Sequence, residues 1–206
     1  MLVEHRGFSP SIDPTAWIAP NAVVSGAVTI GPRTRVLYGG VLTADGRAPL
    51  TVGAECVIME HAVLRATGRY PLTLGDRVLV GPHAHLSGCT IESRSFIATG
   101  AMIFNGARLG ETCTVALGAK VHIDTELADG AFVPMGFIAY GLPGQIYPPE
   151  QAPLVHQELS RLGFMRYVFG IELDGKTRAE IMDDAMTRYC RALGAHRDDR
   201  VVDGDA

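Results

Sequence analysis

Val80, Leu86, Ile91, Ile97, Ile103, Leu109, Val115 and Val121 recur at every sixth position with one step of five, and a small residue usually stands four places after each. A period of six suits neither the 3.6-residue turn of a helix nor the strict alternation of a flat amphipathic strand. It suits a strand that turns a corner once per hexad, so that three hexads close one triangular coil. The same register runs back to Ile12 and forward to Ala139, which predicts seven coils: Ile12/Ile18/Val24, Ile30/Val36/Leu42, Val52/Ile58/Leu64, Leu74/Val80/Leu86, Ile91/Ile97/Ile103, Leu109/Val115/Val121 and Leu127/Val133/Ala139. A second column, with Ala22, Thr34, Cys56, Ala62, Ala84, Ser95, Ala101, Cys113 and Ala119 among its members, keeps small residues at the corners, where a narrow core leaves no room. Two columns holding over this length predict an all-β solenoid whose stacked coils bury one another's strand edges.

Two four-residue excesses interrupt the register, in TADGRAPLT after Leu42 and in RATGRYPLT after Leu64. Both fall at the same corner of successive coils, and insertions grouped on one edge of a solenoid usually mark its binding face. The repeat stops at YGLPGQIYPPEQ, where Pro and Gly forbid another coil. Two helical patterns follow, roughly 151–169 and 176–193; in the second, Ala179, Met182, Ala185, Met186 and Tyr189 form an apolar stripe. The expected organisation is a β-helix over 10–143, C-terminal helices over 150–195 packed back on the coil, and a flexible tail over 196–206. Trp17 is expected to pack under a terminal helix.

Composition narrows the function classes. The chain has 206 residues, 47% hydrophobic and 19% charged, yet no apolar run approaches the ~20 residues that span a bilayer. MLVEHRGFSPS shows no basic stretch leading into an apolar core, so a cytoplasmic location is expected. A net charge of −4 without a basic stripe speaks against nucleic-acid binding. Four dispersed cysteines do not make a disulfide scaffold; Cys56 and Cys113 occupy the small slot, and Cys89 lies in the shortened step.

The segments VLTAD (41–45), VGAECVIMEHAVLRA (52–66), LSGCTI (86–91) and YGLPGQI (140–146) resemble the gamma-class carbonic anhydrases among the hexapeptide-repeat proteins. The resemblance spans about Ile12 to Pro143. It implies a left-handed parallel β-helix of about seven triangular coils followed by C-terminal α-helices, assembled as a homotrimer with the active site between subunits. Handedness comes from the resemblance alone, because most parallel crossovers are right-handed. The family's zinc is held by three histidines, two from one subunit and one from its neighbour, and lowers the pKa of a bound water to about 7. Arg65, Pro82 and Ser87 stand at those three positions here. Asp45 matches the aspartate of the family's Arg-Gly-Asp segment, whose arginine is Thr43, and the family's Gln-Asp pair reads Met59-Glu60. The usual carbonic anhydrase chemistry is therefore not expected.

The remaining polar residues cluster. Glu60, His61 and His83 lie on the second faces of the third and fourth coils, with His61 and His83 in one slot. Asp45, Arg65, His85, Ser87 and Asn105 lie on or beside the third face, where Arg65, Ser87, Phe104 and His122 form a column. In a trimer these two sets line one cleft. Three readings follow. The first is an enzyme without a metal or other cofactor, lyase/hydratase-like or acyltransferase-like, in which His83, His85, His61 or Glu60 moves protons while Arg65, with Asp45, Ser87 and Asn105, binds a small carboxylate-type or acyl substrate. In the second, His61, His83 and His85 form a relocated zinc site. The third is a non-catalytic assembly module on an inherited scaffold.

Overall fold

The computed structural model describes residues 1–45 and 48–202. Its strands are short parallel rungs stacked in three sheets, one per face. The first face pairs Ile12, Ile30, Val52, Leu74, Ile91, Leu109 and Leu127 in one line. The second pairs Ile18, Val36, Ile58, Val80, Ile97, Val115 and Val133, and the third Val24, Leu42, Leu64, Leu86, Ile103, Val121 and Ala139. All seven expected coils are therefore present in register. Their aliphatic side chains form one continuous core, with Leu64, Val80, Leu86 and Ile97 fully buried, and each such side chain contributes about 1.5–3 kcal/mol by leaving water. The corner residues Ala22, Thr34, Ala62, Ala84 and Ala101 have no exposed surface, as a tight bend around a narrow core demands.

Corners set the local backbone. Following the second face, Gly39, His61, His83, Gly100, Gly118 and Gly136 all have positive φ, the left-handed conformation that glycine adopts without steric cost. Histidine at two of these six places is a departure from the local rule.

Four expectations need correction, each at an end of the solenoid. Leu2–Glu4, placed before the first coil, adds a further rung, with Leu2 against Val24 and Val3 against Ser25. Within the segment expected to fray, Gly194–Asp198 forms a short 3-10 helix and Arg200–Val202 pairs antiparallel with Leu2–Glu4; positions 203–206 of that expected tail lie outside the described residues. The ladder supplies this order by satisfying the exposed edge of the third face, and Gln145–Tyr147 closes the opposite edge by folding back on Ile138–Tyr140. The first helical pattern is two helices, α1 (Ala152–Leu162) and α2 (Phe164–Phe169), because Gly163 between them is left-handed at φ 60°. Trp17 is 40% exposed and meets the edge of Tyr38, with ring centroids 6.0 Å apart, rather than a helix.

The helix α3 (Arg178–Leu193) starts at a capping box in which Thr177 and Glu180 bond reciprocally. Of its apolar stripe Ala185 is buried, whereas Met182, Met186 and Tyr189 remain exposed. Val155, Ile171 and Ala185 anchor the helical segment in buried positions. No helix among the described residues is long and apolar enough to cross a membrane.

Candidate functional site

Strand alternation decides which side chains leave the core. On the third face Arg65 pairs with Thr43 on one side and Ser87 on the other, so Thr43, Arg65 and Ser87 point outward in one column. Ser25 precedes them, and Phe104, His122 and Tyr140 continue the column, with Phe104 and His122 rings 5.4 Å apart and His122 edge-on to Tyr140 at 6.1 Å. The two inserted loops project from the adjoining corner. Gly68 N donates to Asp45 Oδ2 at 3.1 Å and ties the loops together, while a tight turn between Thr67 and Tyr70 is closed by their mutual backbone bonds.

The helices α2 and α3 stand opposite this column and enclose a cavity of about 790 Å³. Asp45, Arg65, Ser87 and Asn105, all four expected to bind substrate, line it. Arg65 is half-buried, and its side chain makes no hydrogen bond or ion pair among the described residues. Ser87 Oγ and Thr67 Oγ1 donate to Asn105 Oδ1 at 2.8 and 3.0 Å, which fixes the amide beside the guanidinium column. Arg166 and Arg188 reach the cavity from the helices and Arg6 from the turn after Leu2–Glu4. Arg69 lies 5.1 Å over the Tyr70 ring and 5.8 Å over Tyr167, a cation–π arrangement. Among the described residues the lining thus carries five guanidinium groups against one carboxylate, Asp45.

The residues expected to move protons divide. His85 is half-buried on the third face two residues before Ser87, so both side chains leave the same side of one strand. Burial, and then the charge of Arg65, hold its imidazole below the ordinary histidine range. It is neutral near pH 7 and stands beside the cavity rather than in its lining. His61 and His83 sit on the exposed corner before it, their rings stacked 5.3 Å apart at 11°. Glu60 shares that corner, its carbonyl accepting from His83 N at 3.0 Å. Among the described residues of one chain, His61, His83 and His85 do not converge as three donors on a point. Of the family's zinc positions, Arg65 and Ser87 are neighbours in the column and Pro82 is on the corner. A guanidinium, a hydroxyl and a proline ring offer no imidazole, and a fixed positive charge repels a cation, so these residues do not fit that metal.

Two groups escaped sequence reasoning. Tyr70 OH donates to Tyr167 OH at 2.6 Å and Tyr167 OH to Asp124 Oδ2 at 2.9 Å, fastening α2 to the coil. Burial and these two partners push the Tyr167 phenol well above its usual range. At the end of the cavity, His5 Nδ1 lies 2.6 Å from Asp199 Oδ1 and His196 Nδ1 2.8 Å from Asp199 Oδ2. Burial raises the pKa of Asp199, but the bonds from His5 and His196 outweigh it and hold the carboxyl below its usual range. Only the His-x-x-Asp spacing of 196–199 hinted at the second group, since nothing local tells that the end of the chain returns to its beginning.

No family model matches the chain. It is 34% identical over 127 residues to gamma carbonic anhydrase 1, mitochondrial, from Arabidopsis thaliana; the match covers 59% of this chain and 46% of that relative, so it spans less than half of the relative's length. Among solved structures, a hexapeptide transferase family protein from Anaplasma phagocytophilum is 23% identical, with a TM-score of 0.49 and 96% and 97% of the two chains covered. A UDP-N-acetylglucosamine acyltransferase from Campylobacter jejuni is 14% identical, with a TM-score of 0.40 over 92% and 95%. Likenesses of this degree say nothing of chemistry.

Proposed function

Hexads, solenoid and aligned relative together fit a gamma-carbonic-anhydrase-like hexapeptide-repeat protein, and from that premise we propose a homotrimeric enzyme that performs acid/base chemistry on a small carboxylate-type or acyl substrate without a metal at the reacting centre. One observation carries this reading: a half-buried guanidinium, Arg65, without a protein partner among the described residues, in a cavity with Ser87 and Asn105. An unpaired buried cation is costly to a fold, and an anionic ligand supplies the missing partner through charge-assisted, two-pronged bonds. His85, neutral and next to the column, is the base; Ser87 and Asn105 orient the ligand; Asp45 sets the distance between the loops.

Glu60, His61 and His83 reach the reaction from a neighbouring subunit in this reading. The faces support such packing. Outward positions of the first face are polar, Ser11, Thr29, Thr51, Thr73, Thr90, Arg108 and Glu126, and suit water. Those of the second are Trp17, Arg35, Val57, Leu79, Phe96, Thr114 and Phe132, five of seven apolar, with Phe96 43% and Phe132 57% exposed. An apolar ladder of this kind marks a surface for burial against protein.

Calorimetry with a panel of small mono- and dicarboxylates and acyl thioesters tests the proposal. Saturable binding that the Arg65→Met variant loses is the expected result. Binding that is indifferent to Arg65, or absent across the panel, overturns it. Sedimentation of a Phe96→Asp variant as a monomer, beside a trimeric parent, is the companion result for the assembly.

A further inference from the structure

The end wall of the cavity holds a donor set that the proposed reaction does not use. Backbone geometry alone brings it together. The antiparallel ladder pairs Leu2 with Val202 and Glu4 with Arg200, so the next pair along it is His5 and Asp199. Beyond His5 the chain turns tightly, His5 and Phe8 exchanging backbone bonds of 3.0 Å, which fixes the histidine from its other side. His196 stands three residues before Asp199, across the 3-10 segment Gly194–Asp198, and Asp199 N donates to His196 O at 3.3 Å. The imidazole rings stack with centroids 4.4 Å apart. One donor atom from each of the three residues lies within 4.8 Å of the others.

We propose that His5, His196 and Asp199 form a binding site for a divalent transition metal of the zinc class, which clasps the returning end of the chain to the first strand. Two imidazole nitrogens and a carboxylate oxygen are the ligand chemistry such ions prefer, and three protein ligands leave the fourth position to water. His5 is buried and Asp199 mostly so, while His196 is exposed, so the fold holds the donor set in place and leaves one side open to an incoming ion. A divalent cation takes the place of the protons held in the His5–Asp199 and His196–Asp199 bonds, which go to solvent as metal binds. The ladder it secures is three residue pairs long, too short to be stable unaided. The clasp also holds one end of the wall formed by α3, because Arg6, next to His5, donates to the Ala192 carbonyl at 3.3 Å. This site is separate from Arg65, and either proposal stands if the other fails.

The test uses the full chain, stripped of metal, loaded with zinc and desalted. About one zinc per chain is expected to remain, and cobalt(II) in its place is expected to give the visible absorption of a four-coordinate nitrogen/oxygen site. His5→Ala and Asp199→Asn are each expected to weaken zinc binding by at least about tenfold. Asp199→Asn preserves the size of the side chain and one of its two acceptor oxygens, so a loss in that variant with an unchanged circular dichroism spectrum reports ligation rather than folding. Less than about a tenth of a zinc per chain in the parent, equal retention by both variants, or loss in His83→Ala instead, overturns the proposal.

Discussion

Replacing Arg65 by Met separates a ligand-binding cation from a structural one, and pH is the lever. His85 is two residues before Ser87, the cross-strand partner of Arg65, so Arg65 and His85 are diagonal neighbours about 7–8 Å apart. Two unit charges at about 8 Å repel by about 0.5 kcal/mol at the dielectric of water and about 2 kcal/mol near a protein surface. Half-exposure and salt favour the lower end, about 0.5–1 kcal/mol. Burial and Arg65 both depress the folded-state pKa of His85, so as pH falls through the unfolded value of about 6.5 the unfolded chain binds more protons and stability is lost on acidification. At pH 7.5 His85 is neutral in both proteins, and Arg65→Met, which removes an unpaired cation, is expected to match or exceed the parent in stability. Between pH 7.5 and 5.5 the variant should gain a further ~0.5–1 kcal/mol relative to the parent, because one source of repulsion is gone. His122, depressed by burial alone, contributes equally to both and cancels. Urea titrations at the two pH values measure the difference. A variant that loses about 3–5 kcal/mol at pH 7.5 would show that Arg65 is a structural ion-pair partner, and a difference that does not grow on acidification would remove the Arg65–His85 coupling.

Three further outcomes follow from the geometry. Ile97→Ala, at a fully buried rung near the middle of the solenoid, is expected to cost about 2–5 kcal/mol in a urea titration, and less than 1 would mean the coil collapses around the gap. Tyr167→Phe removes the hydroxyl shared by Tyr70 and Asp124; it should cost about 1–3 kcal/mol locally, read as faster hydrogen exchange in α2 while the middle coils stay protected. Cys56, Cys89 and Cys113 are buried, and burial pushes the Cys89 thiol up to about 12, whereas Cys190 is exposed. A thiol reagent at pH 8 should therefore titrate one group per native chain quickly and the other three only after unfolding.

The coil was legible because its restraint is repeated. Each hexad must place one aliphatic side chain inward and one small residue at a corner, so a mistake at any rung shows against its neighbours; Leu64 above Leu42 and below Leu86 is a statement the sequence makes three times. Arg65 and Ser87 could be grouped for the same reason, since register alone puts outward side chains in a column, and Asp45 and Asn105 stand beside it. Docking of the helices has no such redundancy. The stripe of Met182, Met186 and Tyr189 suggested a buried face for α3, yet Ala185 is the position that packs. Periodicity reports which residues share a face and not which face finds a partner.

The departures from the local rule are consequently the most informative positions. In the slot that is Gly39, Gly100, Gly118 and Gly136 elsewhere, His61 and His83 hold φ of 57° and 56°, a conformation that costs a residue with a Cβ about 1–2 kcal/mol. Stacking of the two rings at 5.3 Å returns about 0.5–1.5 kcal/mol, which offsets much of that cost but gives no reason for imidazole rather than another ring. Packing therefore explains why the pair is tolerated. A reason for its chemistry has to come from what the corner meets, which in the proposed trimer would be the third face of a neighbour, where Arg65 and His85 stand. The same register that excludes three imidazoles around a zinc at Arg65, Pro82 and Ser87 would, in that proposed assembly, leave titratable groups on both sides of the seam.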